Sequence, residues 1–355
     1  MGRLSNQFVI LWLLLLQTAA AQGDLPAPLF ASDAILEVKL IAPLKQLARA
    51  RGEPQYLPAT MILDDGTELS LRVRPRGKSR RRSEVCHFPP LRLNFDKSVA
   101  GTVFATQNRV KLVTHCRNAE SFQQYILREY VIYRIYNRLT DYSFRVRLLR
   151  ITYEDSDKPG RPVTRLGFLI EDKHALAQRL GGEVAEPESI PPSAVDATHS
   201  PLFDQFQYLV GNTDWAALRG PEGENCCHNV VLLTHDNQTY IPIPYDFDNS
   251  GLVDAPYAAP SSQLGIDEVT ERLYRGMCRD EATTSAAIDQ VVQARAGIAE
   301  FINSFALLTS RTRSKLQRYL GRYYDIAADP KRRAREIDSK CRYRNQSTSR
   351  RVIRG

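Results

Sequence analysis

The sequence predicts an α+β protein with a β-rich front half and a mainly helical rear half, long enough for two lobes or two domains. Three observations predict it. Short segments read as strands recur between residues 36 and 170, around one long helical stripe. A connection rich in Pro, Ala, Ser and acidic residues follows at 184–201. Beyond it, apolar residues recur at helical spacing, interrupted by one hairpin at 229–251. At 355 residues the chain can bury a core in each lobe.

Taken in order, residues 30–71 read as β-rich. Residues 36–40 alternate around Glu37 and Lys39, and 61–63 and 69–73 flank an Asp-Asp-Gly-Thr turn as a hairpin. The second strand runs into Arg74-Pro75-Arg76-Gly77-Lys78-Ser79. Such a turn can offer backbone N–H groups and positive charge to phosphate, or simply be a solvated basic turn. Strands follow at 88–95 and 109–113, with Lys111 on the polar face of the latter. Residues 120–139 form a helix capped by Asn118, with Phe122, Tyr125, Ile126, Ile132, Tyr133 and Tyr136 as its apolar stripe. Glu129 falls inside that stripe and requires a cation, because an unpaired buried carboxylate is costly. Lys111 is the candidate, with Arg128 or Arg134 of the same helix as alternatives. Strands at 144–153 and 164–170 come next, the second ending at Glu171-Asp172. A short helix from Leu202 leads into Asp214 of GNTDW, and helices are expected at 263–275, 281–308 and 311–326.

The chemistry concentrates in YIPIPYDFDNSG, residues 240–251. Ile241, Ile243, Tyr245 and Phe247 alternate with Pro242, Pro244, Asp246 and Asp248, which reads as a strand with two carboxylates on one face. The prolines cannot donate to a ladder, so the strand should lie at an edge. Folding about His235-Asp236-Asn237-Gln238 brings Asn229 back beside Tyr245 and Asp246, and Asp214 stands shortly upstream. Oxygen donors of this kind suit magnesium, which keeps waters and takes one or two carboxylates plus substrate phosphates. A solubilising Asp/Asn-rich turn is the plain alternative.

Composition narrows the classes. A hydrophobic fraction of 43% and a charged fraction of 25% are those of an ordinary globular chain, not a disordered or fibrous one. Residues 331–355 carry ten Lys or Arg against Glu336 and Asp338, an excess equal to the whole formal charge of +8, so the remainder is neutral. That tail suits an acidic partner. Seven Lys or Arg also lie in 72–82, but neither run is interleaved with aromatics, so no specific nucleic-acid signal is present. Residues 1–21 read as a secretory signal cut before Gln22, or as an uncleaved anchor, and no later segment is long and apolar enough to span a membrane. The six cysteines then read as disulfides in an exported, periplasmic or extracellular protein. His87, His115 and His228 beside Cys86, Cys116 and Cys227 keep zinc as the competing view.

RGKS at 76–79, FPPLRLNF at 88–95, LREYVIYRIYNRL at 127–139, GFLIED at 167–172, GNTDW at 211–215, His228-Asn229 and PYDFD at 244–248 occur in the order of parts found in protein-kinase-like phosphotransferases. Over about residues 36–320 the chain resembles the CotH family, spore coat protein H and its relatives, of atypical secretory-type protein kinases. The resemblance implies a protein-kinase-like two-lobed fold: a β-rich N-lobe at 22–172, a mainly helical C-lobe at 173–328 and a basic tail at 329–355. It implies phosphoryl transfer from ATP, with Mg²⁺ or Mn²⁺, to a protein Ser or Thr or another hydroxyl. Lys111 would hold nucleotide phosphates, oriented by Glu129, with Lys78 and Arg92 as alternatives to Lys111. Arg76 and Lys78 would cover the phosphates, and Glu171 and Asp172 would lie beside the nucleotide. Asp214 would position the acceptor hydroxyl. Asn229 and Asp246 would hold metal, with Asp248 a further ligand or a support for Asp246. The segment LRGPEGENCC, which separates Asp214 from Asn229, is longer than a kinase catalytic loop. A non-catalytic scaffold of the same descent, and a metal-dependent phosphodiesterase, are the alternative functions; the latter would want more His ligands than this chain has.

Overall fold

A computed structural model describes residues 28–343 except 51, 97, 98 and 159. The expected signal at 1–21 and the end of the basic tail lie outside the described residues. The front of the chain forms seven strands, β1 (Leu36–Ala42), β2 (Leu57–Leu63), β3 (Glu68–Pro75), β4 (Leu91–Phe95), β5 (Arg109–Val113), β6 (Val146–Asp155) and β7 (Val163–Ile170); β1, β3 and β4 alternate buried apolar with more exposed residues, whereas β6 and β7 bury apolar residues on both faces. The seven close into a barrel in the order β1-β2-β3-β4-β5-β7-β6. Leu40, Met61, Leu71, Leu91, Leu112 and Leu169 fill its interior. Where β5 meets β7, Gly167 is obligatory, since a Cβ there would stand 2.6 Å from the Val113 carbonyl oxygen.

The closure corrects the two-lobed, protein-kinase-like expectation. All neighbouring strands pair antiparallel except β1 and β6, which pair in parallel from Leu36↔Leu149 to Ala42↔Asp155 and leave no open sheet edge. Opposite charges face across that seam: Arg150 with Glu37 at 2.5 Å and Lys39 with Glu154 at 3.2 Å. Alternation identifies each strand but not which two distant strands will meet, so the closure was invisible to it.

Helix α1 (Leu44–Arg49) is short; α2 (Ser121–Leu139) is long and lays its stripe on β6 and β7, with Tyr133 and Phe168 ring to ring. Its N-cap is Glu120 rather than Asn118 and makes no side-chain cap bond. After α3 (Lys173–Arg179), a second sheet forms from β8 (Glu183–Ala185), β9 (Val230–Thr234) and β10 (Ile241–Pro244), in the order β10-β9-β8. The proline-bearing β10 is therefore an edge strand, as its missing donors require. Helix α4 (Ser200–Val210) is buried on every side, among α5 (Glu281–Gln293), α7 (Ser310–Ala328) and β10.

Two helical expectations fail. Residues 263–275 make only a 3₁₀ turn, Ser262–Leu264, ended by Gly265. The rest is irregular, because Arg272 reaches across to donate to the Tyr208, Leu209 and Tyr319 carbonyl oxygens at 3.1, 3.0 and 2.6 Å, capping the end of α4. The expected helix at 281–308 breaks at Ala294 into α5 and α6 (Arg295–Ser304). After α8 (Pro330–Arg333) and a π-helical turn, Cys341 ties the start of the tail to Cys278. The other disulfides are Cys86–Cys116 and Cys226–Cys227, so none of the six cysteines is free for zinc. No described helix is long and apolar enough to cross a membrane.

Candidate functional site

Helix α4 stops at Gly211, whose φ of +63° turns the chain sharply and whose missing side chain makes room for the Tyr319 hydroxyl. Asn212 then accepts the Asp214 N–H at 3.0 Å, and its carbonyl accepts the Trp215 ring N–H at 3.1 Å. The segment after β10 docks here, Gly251 N–H on the Gly211 carbonyl at 2.9 Å and Leu252 N–H on that of Val210 at 3.0 Å. Ala216 and His228 exchange two backbone hydrogen bonds, at 2.9 and 3.0 Å. The intervening segment with LRGPEGENCC is thereby closed off as a loop. Asp214 and Asn229 meet despite it: the Asn229 amide donates to the Asp214 carbonyl at 2.7 Å and to its carboxylate at 3.2 Å. His228 Nε2 lies 3.0 Å from the other Asp214 oxygen, and that hydrogen bond raises the imidazole above its ordinary pKa.

Asn229 and Asp246 are both held at positive φ, +52° and +61°, and the Tyr245 N–H donates to the Asn229 carbonyl at 3.1 Å. The strand ends at Pro244, so Asp246 and Asp248 are not the two consecutive outward positions of one strand that alternation predicts. They still converge, on Arg80. Its side chain is 5% exposed, donates Nη2 to Asp246 at 2.6 Å and Nη1 to Glu129 at 3.1 Å, and forms an ion pair through Nε with Asp248 at 3.1 Å. Burial opposes the guanidinium charge, but the three carboxylates outweigh it and hold Arg80 well above its usual value. Burial pushes the Asp248 carboxyl up from its usual value, and it hydrogen-bonds Asp246. Tyr133, one turn along α2 from Glu129, accepts the Asp246 N–H at 2.9 Å.

The partner of Glu129 is therefore Arg80, not Lys111. Neither alternative cation serves: Arg128 donates to the Val253 carbonyl at 2.8 Å, and Arg134 pairs with Asp33 at 2.6 Å. Lys111 instead sits 4.1 Å from the centre of the Tyr245 ring, with Arg92 directly across on β4. Burial, with Arg76 and Arg92 nearby, lowers its amine to about 7. Glu171 is buried and fully used, by Arg179 Nε at 2.9 Å and Nη2 at 2.9 Å and by the Arg145 N–H at 3.0 Å, so its carboxylate is not free for a nucleotide. Asp172 caps α3, accepting the His174 N–H at 2.9 Å. Lys78 pairs with Glu224 of the loop between Ala216 and His228.

A cleft of about 740 Å³ gathers Arg76, Lys78, Lys111, Asp214, Asn229 and Asp246. An adjoining cavity of about 660 Å³ is lined by Arg92, Asp172, Cys226, Cys227 and Tyr245 and shares Lys111 with the cleft. A polyanion entering the cleft would meet cations on one wall and Asp214 and Asp246 on the other. Among the described residues, no group of three or more His, Cys, Asp or Glu side chains could hold a metal ion. Asp246 and Asn229, whose amide nitrogen faces Asp214 and leaves its oxygen, would be the donors to a magnesium or manganese ion that keeps waters and takes phosphate oxygens.

Sequence reasoning missed Arg80. The demand of Glu129 for a cation was the available signal, but Arg80 is one of seven Lys or Arg in 72–82 and nothing local singles it out. The role of His228 was missed as well.

No protein-family model and no curated protein matches the chain. Among solved structures, one of hydra Fam20 with sugar aligns with 89% of this chain and 90% of its own, at 12% identity and a TM-score of 0.27. A likeness that low carries no argument about fold or function.

Proposed function

We propose that the chain is an exported phosphotransferase that moves the terminal phosphoryl group of ATP to a hydroxyl on a protein or another acceptor, the activity its CotH resemblance implies. The supporting observation is the convergence on one 740 Å³ cleft of Asp214, Asn229 and Asp246 with Arg76, Lys78 and Lys111. The reading rests on the site and not on the fold.

Arg76, Lys78 and Lys111 bind and orient the phosphates. Asp214, half-exposed at the cleft, takes the proton of the acceptor hydroxyl as its oxygen bonds to phosphorus and the bond from the terminal phosphorus to the bridging oxygen breaks. His228 and Asn229 fix the direction of that carboxylate. A divalent metal held by Asn229 and Asp246 would neutralise phosphate charge, the main demand of phosphoryl transfer. Three disulfides suit an oxidising compartment and hence export.

Calorimetry of the oxidised full chain with ATP and magnesium or manganese, followed by labelled-ATP transfer, tests the reading. Metal-dependent binding and transfer, both lost in Asp246→Ala, would support it; a folded protein that binds no nucleotide would overturn it. One observation favours a second reading, a non-catalytic binding protein: Arg80 already engages both Asp246 and Asp248. Nucleotide binding without transfer to any acceptor would select it.

A further inference from the structure

We propose that Arg80 is the positioning residue of this site, setting the carboxylates after β10 against Glu129 of α2, and that the Cys86–Cys116 bond fixes the turn that carries it. The inference deepens the phosphotransferase reading and rests on it for its catalytic consequence.

One guanidinium uses all three of its nitrogens on three carboxylates from two distant parts of the chain, at 2.6, 3.1 and 3.1 Å. A fork of fixed geometry transmits position as well as charge, which a lysine cannot do. Asp246 receives a second constraint from α2, through the Tyr133 hydroxyl on its N–H. Asp246 therefore has its side chain set by Arg80 and its backbone set by Tyr133. Arg80 sits in the 3₁₀ turn Ser79–Arg81, which has no side-chain cap. Its anchor lies downstream. The Val85 and Cys86 N–H groups return to the Arg82 carbonyl at 3.0 Å, and Arg117 Nε donates to the Val85 carbonyl at 3.0 Å. Cys86 is bonded to Cys116, shortly after β5, the strand that carries Lys111. The disulfide thus ties the turn bearing Arg80 to the strand bearing the phosphate-binding lysine.

The test uses the oxidised full chain and Arg80→Lys, which keeps the charge and removes the fork. Hydrogen exchange over residues 245–250 is expected to accelerate about tenfold or more, with the barrel strands unchanged, because those amides depend on the local fork rather than on global unfolding. Affinity for manganese-ATP is expected to fall about 10–100-fold, as for other groups that orient a metal ligand. The rate constant kcat should fall while the acceptor KM holds, a split that a general loss of stability would not give. Cys86→Ser with Cys116→Ser should shift exchange at 245–250 in the same direction, by less. If Arg80→Lys does not fold, Arg80→Gln with Asp248→Asn is read in the same way. Unchanged exchange at 245–250 in a folded variant would overturn the proposal. Failure of the wild type to bind nucleotide would overturn the phosphotransferase reading alone, with exchange still deciding the role of Arg80.

Discussion

Two carboxylate groups flank the cleft, and they are built for opposite purposes. On one side Asp214 stands 35% exposed against His228, itself 39% exposed, with water at hand to carry protons away. On the other, Asp246, Asp248 and Glu129 surround the buried Arg80. The difference is one of solvent. A half-exposed carboxylate and imidazole stay in contact with solvent, as groups that hand protons to and from a reacting hydroxyl must. A buried cluster exchanges protons only at a large electrostatic cost, so it serves to hold geometry. Chemistry is assigned to the wet side and alignment to the dry side.

The largest effect expected is on the dry side. Arg80→Met leaves the buried Glu129 and Asp248 and the partly exposed Asp246 without their cation, and removing one partner of a buried ionic network costs about 3–5 kcal/mol. Chemical denaturation would measure it; a loss below about 1 kcal/mol, the scale of an exposed ion pair, would erase the contrast between the two sides. The counterpart on the wet side is Asp214→Asn. It should lower the transfer rate by about 10²–10⁴-fold, the contribution of a positioned acid–base group. Its effect on stability should stay within about 0.5 kcal/mol, as for a surface substitution. A variant that unfolds, or that turns over normally, would break the assignment.

Lys111 sharpens the comparison, being a partly buried cation that forms no ion pair among the described residues. Its amine, lowered to about 7, loses its proton in the folded chain while the unfolded chain keeps it to near 10.5. Between those values the unfolded state binds more protons, so this group makes stability rise with pH. Phosphate bound in the cleft would offset the penalty and favour the charged amine. Titration of ATP near pH 8, in buffers of different ionisation enthalpy, should therefore show uptake of a fraction of a proton, up to about one. Lys111→Arg should abolish it; equal uptake in the variant would place the proton elsewhere.

The smallest effect concerns His228. Its hydrogen bond to Asp214 raises its pKa in the folded state. The stability this adds is fully present below its unfolded value of 6.5 and is lost as pH rises through the higher folded value. Melting temperatures of wild type and His228→Asn should therefore differ most in mild acid and converge toward alkaline pH. A difference independent of pH would mean that the pair does not titrate.

Legibility followed the range of the interactions. Strands at 36–40, 61–63, 69–73 and 109–113 were readable because alternation is a property of adjacent residues. Their observed counterparts are β1, β2, β3 and β5. The hairpin of β9 and β10 was readable because its turn lies in the same short stretch. The helix expected at 263–275 failed because its arginines bond to carbonyls of α4 and α7 and to the segment after α4, partners absent from the local pattern. The meeting of Asp214 with Asn229 depends on the Ala216–His228 bridge, and no spacing rule encodes it.

The sequence by itself determined the strands of the front half and the long helix among them, that the acidic and amide residues gather at one hairpin, and that Glu129 needs a cation. Those follow from periodicity, turn chemistry and the cost of a buried charge, all local quantities. Only the tertiary structure decided that β1 and β6 close a barrel and that Arg80, not Lys111, answers Glu129. Both depend on which of several locally equivalent partners the tertiary fold brings close, and seven cations within 72–82 look alike until one of them is buried.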